Sequence, residues 1–118
     1  MAREPRLICA AATLADSGRG IRFEVEYFGE RAAAFVLRYR GRVQAYRNRC
    51  GHLPMELDFR EGEFFDSEGR HLICSTHGAT YDASSGRCLG GPCGETALVR
   101  LQVEERDGAI FYLGSEDD

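Results

Sequence analysis

A chain of 118 residues, 43% hydrophobic and 29% charged, has the size and composition of one globular domain that buries roughly two-thirds of its unfolded surface. Its formal charge is −4 and all 15 basic residues are arginine, so it lacks the basic stripe that nucleic-acid binding demands; the mildly acidic surface suits a basic protein partner or plain solvation. No apolar run reaches the roughly 18 residues of a membrane helix, and the opening MAREPRLICAAATLADSG is too short and broken, with Asp16 inside it, to read as a targeting segment. The expectation is one cytoplasmic domain over residues 1–118.

Strand signals dominate in chain order. Residues 6–12, RLICAAA, form a plausible first strand, with Cys9 as a small core residue. In IRFEVEYFG (21–29), Ile21, Phe23, Val25 and Tyr27 alternate with Arg22, Glu24 and Glu26, the period of a half-buried strand. AAAFVLRYRGRVQAYRN (32–48) reads as two strands turning near Arg40-Gly41, with the arginines at 38, 40, 42, 47 and 49 on a solvent face and a weaker docking role open to Arg47 or Arg49. An irregular region rich in Gly, Cys and His follows, from about 48 to 93. Its 53–70 segment reads mostly as loop with room for one helical turn, and EGEFFDSEGR (61–70) as a surface excursion with Phe64 and Phe65 packing beneath it. ALVRLQVEERDGAIFYLG (97–114) closes the domain as a hairpin turning at Asp107-Gly108, before a frayed acidic tail. Loops inserted into a small β scaffold are where a site is expected.

The inserted region carries the chemistry. Cys50-Gly51-His52 and Cys74-Ser75-Thr76-His77 each put one sulfur and one imidazole in a short span. Two thiolates and two imidazoles suit zinc or an iron–sulfur cluster and fit calcium or magnesium badly. Structural zinc sites favour Cys-x-x-Cys knuckles instead. The five cysteines are an odd number, which suits thiols or metal ligands better than a disulfide framework. Cys88 and Cys93 are read as free thiols in preference to a local disulfide or a second metal site. His71 has no cysteine at ligand spacing and is read as a solvated or satisfied polar residue. No serine–histidine–acid or paired-carboxylate arrangement is present, so no catalytic residue is assigned.

These two spans, followed by Gly78, Tyr81-Asp82, Gly86 and the Gly90-Gly91-Pro92 loop, resemble the Rieske family. The resemblance implies an all-β fold: an antiparallel sandwich or barrel-like base with a loop-rich cluster-binding subdomain at about 48–93. It also implies one [2Fe–2S] cluster, with Cys50 and Cys74 on one iron and His52 and His77 on the other, and Ala79, Tyr81, Gly91 and Pro92 around them. Such mixed ligation leaves the oxidised centre formally neutral, where four cysteines leave it doubly negative. Electron uptake is therefore easier, and Rieske potentials span about −150 to +300 mV. High-potential members bridge the two ligand loops with an extra disulfide, but the corresponding positions here are Met55 and Thr76. They also carry a serine donor to a cluster sulfur, where this chain has Ala79. Tyr81 matches a tyrosine that donates to a ligand sulfur. The implied potential lies toward the low end, lifted slightly by Tyr81.

As a small stand-alone member, the chain looks like the ferredoxin component of an aromatic-ring dioxygenase system. It would take electrons from a flavoprotein reductase and pass them to an oxygenase, and would not be an enzyme by itself. Two other readings are the small Rieske-type subunit of a nitrite reductase and a zinc-stabilised interaction module without redox function.

Overall fold

A computed structural model describes residues 5–27, 29–49, 56–58, 60–74, 78–91 and 96–115, with the side chains of Tyr27 and Ser115 set aside. The described residues form nine strands and one short 3-10 turn. In chain order the strands are β1 (Arg6–Ala10), β2 (Ile21–Tyr27), β3 (Glu30–Tyr39), β4 (Arg42–Arg47), β5 (His71–Ile73), β6 (Thr80–Asp82), β7 (Cys88–Gly90), β8 (Arg100–Arg106) and β9 (Ala109–Ser115). Six of them build a strongly curled antiparallel sheet in the order β1-β9-β8-β4-β3-β2, and β5-β6-β7 make a second, three-stranded sheet.

The hairpins expected of the base are present. Arg40 and Gly41, between β3 and β4, both have positive φ, as do Asp107 and Gly108 between β8 and β9. That is the backbone of a two-residue turn whose twist matches its flanking strands. The first strand is shorter than expected, because residues 11–13 turn as a 3-10 helix. The clearest departure lies inside 48–93: the region expected to be irregular holds the whole second sheet. Three-residue strands bounded by glycines are too short to show a two-residue period. No helical turn is found among the described residues of 53–70; Phe65 instead makes an isolated bridge to Leu72.

Strand β3 organises the molecule. Residues 34–37 are all fully buried because both faces of the strand are covered. Ala34 and Val36 point into the curl of the large sheet with Val25, Ala45, Leu101, Ile110 and Tyr112. Phe35 and Leu37 point the other way, into a second core with Tyr46, Leu57, Phe64, Leu72, Cys74, Ala79 and Tyr81. This outer core joins the base to the small sheet. The Tyr46 hydroxyl also donates to the Ala83 carbonyl at 2.8 Å, a buried bond between the two halves. Gly86 has φ +79°, and a Cβ there would come within 2.8 Å of the Tyr46 ring, so the turn leaving β6 can lie this close to Tyr46 only with glycine.

Arg38 departs from the solvent-face reading. Its guanidinium donates to both carboxylate oxygens of Glu105, at 2.9 and 2.8 Å, and its Nε donates to the Leu14 carbonyl at 2.9 Å. It ties β3 to β8 and to the turn after β1, and the Arg38 bonds hold the Glu105 carboxyl below the ordinary glutamate range. Arg40 and Arg42 are exposed as expected, and Cys9 is a partly buried thiol against the inner core.

Candidate metal centre

The second cysteine–histidine span leaves β5 at Ile73 and returns at Thr80, which pair across the ladder. Two backbone bonds close it: the Cys74 amide donates to the Ala79 carbonyl at 2.8 Å, and the Gly78 amide donates to the Cys74 carbonyl at 2.9 Å. Cys74 is a thiol, not half of a disulfide, and is fully buried in the outer core beside Ala79 and Tyr81. Cys74 thus sits, fully buried, at the foot of a short turn.

The glycine-rich third segment lies against this loop. Gly91 has φ +85°, and a Cβ there would sit 3.0 Å from the Gly78 carbonyl oxygen and 3.1 Å from the Ala79 Cα. Only glycine permits that approach. Gly91, directly after β7, therefore packs on Gly78 and Ala79.

The described residues on either side of the first span, Asn48 after β4 and Leu57-Asp58, are joined through side chains. The Leu57 amide donates to Asn48 Oδ1 at 2.9 Å, and Asn48 Nδ2 donates to Asp58 Oδ1 at 2.9 Å. Asp58 also accepts from the Gly62 amide at 2.9 Å and from Arg22, with Nε to Oδ2 at 2.7 Å and Nη2 to Oδ1 at 2.8 Å. Burial alone pushes the Asp58 carboxyl up, but the bonds from Arg22, Asn48 and Gly62 outweigh it and hold the group below the usual aspartate range. The hydrogen bond to Asp58 in turn raises the Arg22 guanidinium. Sequence reasoning missed Arg22, Asn48 and Asp58. Only the position of Asn48, two residues before Cys50, hinted at a role.

Of the expected site residues, the structure gathers Cys74, Ala79, Tyr81 and Gly91. Cys50, His52, His77 and Pro92 lie outside the described residues, as do Met55, Thr76 and Cys93. Among the described residues no group of three or more His, Cys, Asp or Glu side chains is arranged to hold a metal ion; three of the four expected ligands fall outside that set. The free-thiol expectation for Cys88 is corrected: it is disulfide-bonded. Position 88 sits on β7 opposite Tyr81, a placement that spacing along the chain does not reveal. His71 is as expected a part-exposed polar residue, with Nδ1 3.5 Å from Asp66 Oδ2. Arg47 and Arg49 line an open cleft of about 290 Å³ with Arg31 and Glu56, next to the first span.

Two antiparallel sheets sharing an outer core, with the buried Cys74 thiol, Gly91 packed on Gly78 and Ala79, and Asn48 bridging Leu57 and Asp58, define an all-β domain. The family model for the Rieske [2Fe-2S] domain matches residues 5–104, and the chain belongs to that family. It therefore binds one [2Fe–2S] cluster, and the zinc-module reading is set aside. No curated protein matches the sequence. Among solved structures, a ferredoxin of carbazole 1,9a-dioxygenase from Nocardioides aromaticivorans IC177 is 19% identical with a TM-score of 0.71, covering 97% of this chain and 100% of that one. The Sphingomonas yanoikuyae B1 ferredoxin is 21% identical at a TM-score of 0.71, covering 95% and 99%. A quaternary ammonium Rieske monooxygenase is 21% identical at a TM-score of 0.75; the match covers 98% of this chain but 33% of that one. At these identities the likeness shows the shared fold. No helix among the described residues is long and apolar enough to cross a membrane.

Proposed function

We propose that this chain is a one-electron carrier that receives electrons from a flavoprotein reductase and delivers them to an oxygenase. Cys50 and Cys74 would hold one iron of the cluster, and His52 and His77 the other. The observation that carries the ligand reading is the Cys74 thiol, fully buried where the second span begins, with Gly91 packed over Gly78 and Ala79 at the end of that span. The donor set suits the group, since thiolates and imidazoles are the ligands of Rieske centres. When bound, the cluster supplies reversible uptake of a single electron. Of the chain's own residues, Leu57, Leu72, Ala79 and Tyr81 share the apolar core that buries the Cys74 thiol and would keep water from it. Support for an oxygenase partner comes from the matched ferredoxins, one of which belongs to a carbazole 1,9a-dioxygenase and spans this chain nearly end to end.

The test is ligand replacement in full-length protein prepared anaerobically. Cys50→Ser, His52→Ala, Cys74→Ser and His77→Ala are each expected to lose stoichiometric iron and acid-labile sulfide along with the visible absorbance. A variant that keeps a full wild-type cluster would remove its residue from the ligand set. Reduction of the wild type by a flavoprotein reductase, and reoxidation by a Rieske oxygenase at a rate dependent on both proteins, tests the carrier role.

The potential follows from the same residues. Ala79 is buried beside Cys74 and its side chain donates no hydrogen bond, so Ala79→Ser is expected to raise the midpoint potential by adding a donor to sulfur. Film voltammetry showing an unchanged or lower potential in that variant would contradict this account.

A further inference from the structure

The two ligand loops are closed by different means. The second returns to its own ladder, and backbone bonds from Cys74 and Gly78 shut it. The first leaves β4 after Arg47, but Leu57 and Asp58, where the chain returns, belong to no strand. Among the described residues no ladder joins its ends, and side chains take over that task.

Asn48 stands at one end and Leu57-Asp58 at the other. The Asn48 carboxamide spans the gap in both senses, accepting from the Leu57 amide and donating to the Asp58 carboxylate. Asp58 uses both oxygens, on Asn48, Gly62 and the two-pronged guanidinium of Arg22. Arg22 comes from β2, so the loop is referred to the far edge of the base sheet. The Asp58 side chain is fully buried while that of Arg22 is one-third exposed. An apolar closure of similar volume is often equally stable, so a buried ion pair here is explained better by geometry than by stability. A two-pronged guanidinium–carboxylate pair fixes direction as well as distance.

We propose that Arg22, Asn48 and Asp58 form a positioning clamp that sets the ends of the Cys50–His52 loop and keeps the charge beneath it balanced. The proposal rests on reading Cys50 and His52 as ligands. Loosening the clamp frees two of the four ligands at once. Removing Arg22 leaves the buried Asp58 carboxylate without its counter-charge, and neutralising Asp58 leaves Arg22 with only the half-exposed Glu56 at 3.3 Å, so the two changes shift the local charge by one unit in opposite directions.

The test uses full-length holoprotein carrying Asn48→Ala, Asp58→Asn or Arg22→Gln. With an iron chelator as the probe, Asn48→Ala and Asp58→Asn are expected to lose their visible absorbance about tenfold faster than wild type, or faster still, the scale seen when outer-sphere partners of metal ligands are removed. The Leu57 amide should exchange with solvent faster in Asn48→Ala while β8 and β9 amides keep wild-type rates, which separates local loosening from general unfolding. Potentials supply a readout that mere loosening does not give. Asp58→Asn leaves a guanidinium and should raise the midpoint; Arg22→Gln leaves a carboxylate and should lower it. Wild-type cluster loss in Asn48→Ala, or potentials of the two charge variants moving in the same direction, would overturn the clamp. Should Asp58→Asn fail to fold, Asn48→Ala, which changes no charge, decides the matter alone. Cys50→Ser and His52→Ala serve as references. If they keep the cluster, the ligand reading fails; if they lose it while Asn48→Ala holds it as wild type does, only the clamp fails.

Discussion

Phe64→Ala is expected to destabilise the protein by about 3–5 kcal/mol, the cost of truncating a fully buried phenylalanine to alanine. Phe64 is completely buried in the outer core. Its ring stacks on Phe35 of β3 with centroids 3.9 Å apart and planes 15° from parallel. On another side it lies against Gly20, where a Cβ would come within 2.8 Å of the ring. Its carbonyl accepts from the Ile73 amide at 2.9 Å, next to Cys74. The ring therefore fills the space between a base strand and the strand that leads to Cys74. Collapse into the void is hindered, because Phe35 is held in register opposite Tyr46 on β4 and Leu72 opposite Tyr81 on β6. The cost should fall near the upper part of that range, lowering the melting midpoint by on the order of 10 °C or more. Phe64→Leu, which keeps most of the volume, should cost under about 1.5 kcal/mol. Thermal unfolding followed at both the far-UV and the cluster absorbance checks this. An alanine variant within about 1 kcal/mol of wild type would mean that the two halves do not share this core.

Asp58→Asn should carry the second large effect, and its size should depend on pH. Breaking a buried ion pair by removing one partner costs about 3–5 kcal/mol, and the one-third exposure of Arg22 places this pair at the low end. The folded carboxyl is held below its ordinary value by its donors, despite the opposing effect of burial. A depressed folded pKa means that the ionised form is the one favoured by folding. Its contribution is complete above the unfolded value, near 3.9, and disappears as pH falls through the lower folded value. Wild type should thus exceed Asp58→Asn by about 3 kcal/mol at pH 7, and the gap should narrow only below about pH 4. The carboxyls of Asp66, Asp82 and Glu105 are also depressed, but they titrate in both proteins and cancel from the difference. Melting midpoints of the pair compared from pH 7 downward give the curve. A gap that is constant across that range, or one that widens in acid, would contradict the assignment of an ionised Asp58.

Both effects come from contacts that join distant parts of the chain, and that marks the division between sequence and structure here. The base was legible because its strands are long and regular. IRFEVEY alternates cleanly, and Arg40-Gly41 and Asp107-Gly108 supply the positive-φ residues that short hairpin turns require. The run Ala34–Leu37 read as part of a strand; that both its faces are covered emerged only in the fold. Strands β5, β6 and β7 were hidden because each has three residues, fewer than an alternation needs to show itself. Cys88 was misjudged because an odd count of cysteines does not say which of them pair.

Residue types and their local spacing narrowed the chemistry to zinc or an iron–sulfur cluster, and the family motif pointed to the cluster. Cys-x-His and Cys-x-x-His lie in short spans, and the softness of sulfur and imidazole donors needs no fold to be recognised. Tertiary structure decided how those spans are held. It stacks Phe64 on Phe35, lays Gly91 over Gly78, and brings Arg22, Asn48 and Asp58 to within hydrogen-bonding distance across 36 positions of sequence. The physical reason is the range of the forces involved. A ligand set is a property of atoms that travel together on one short segment. A buried carboxylate acquires its partners only when a curled sheet returns a distant strand to its side.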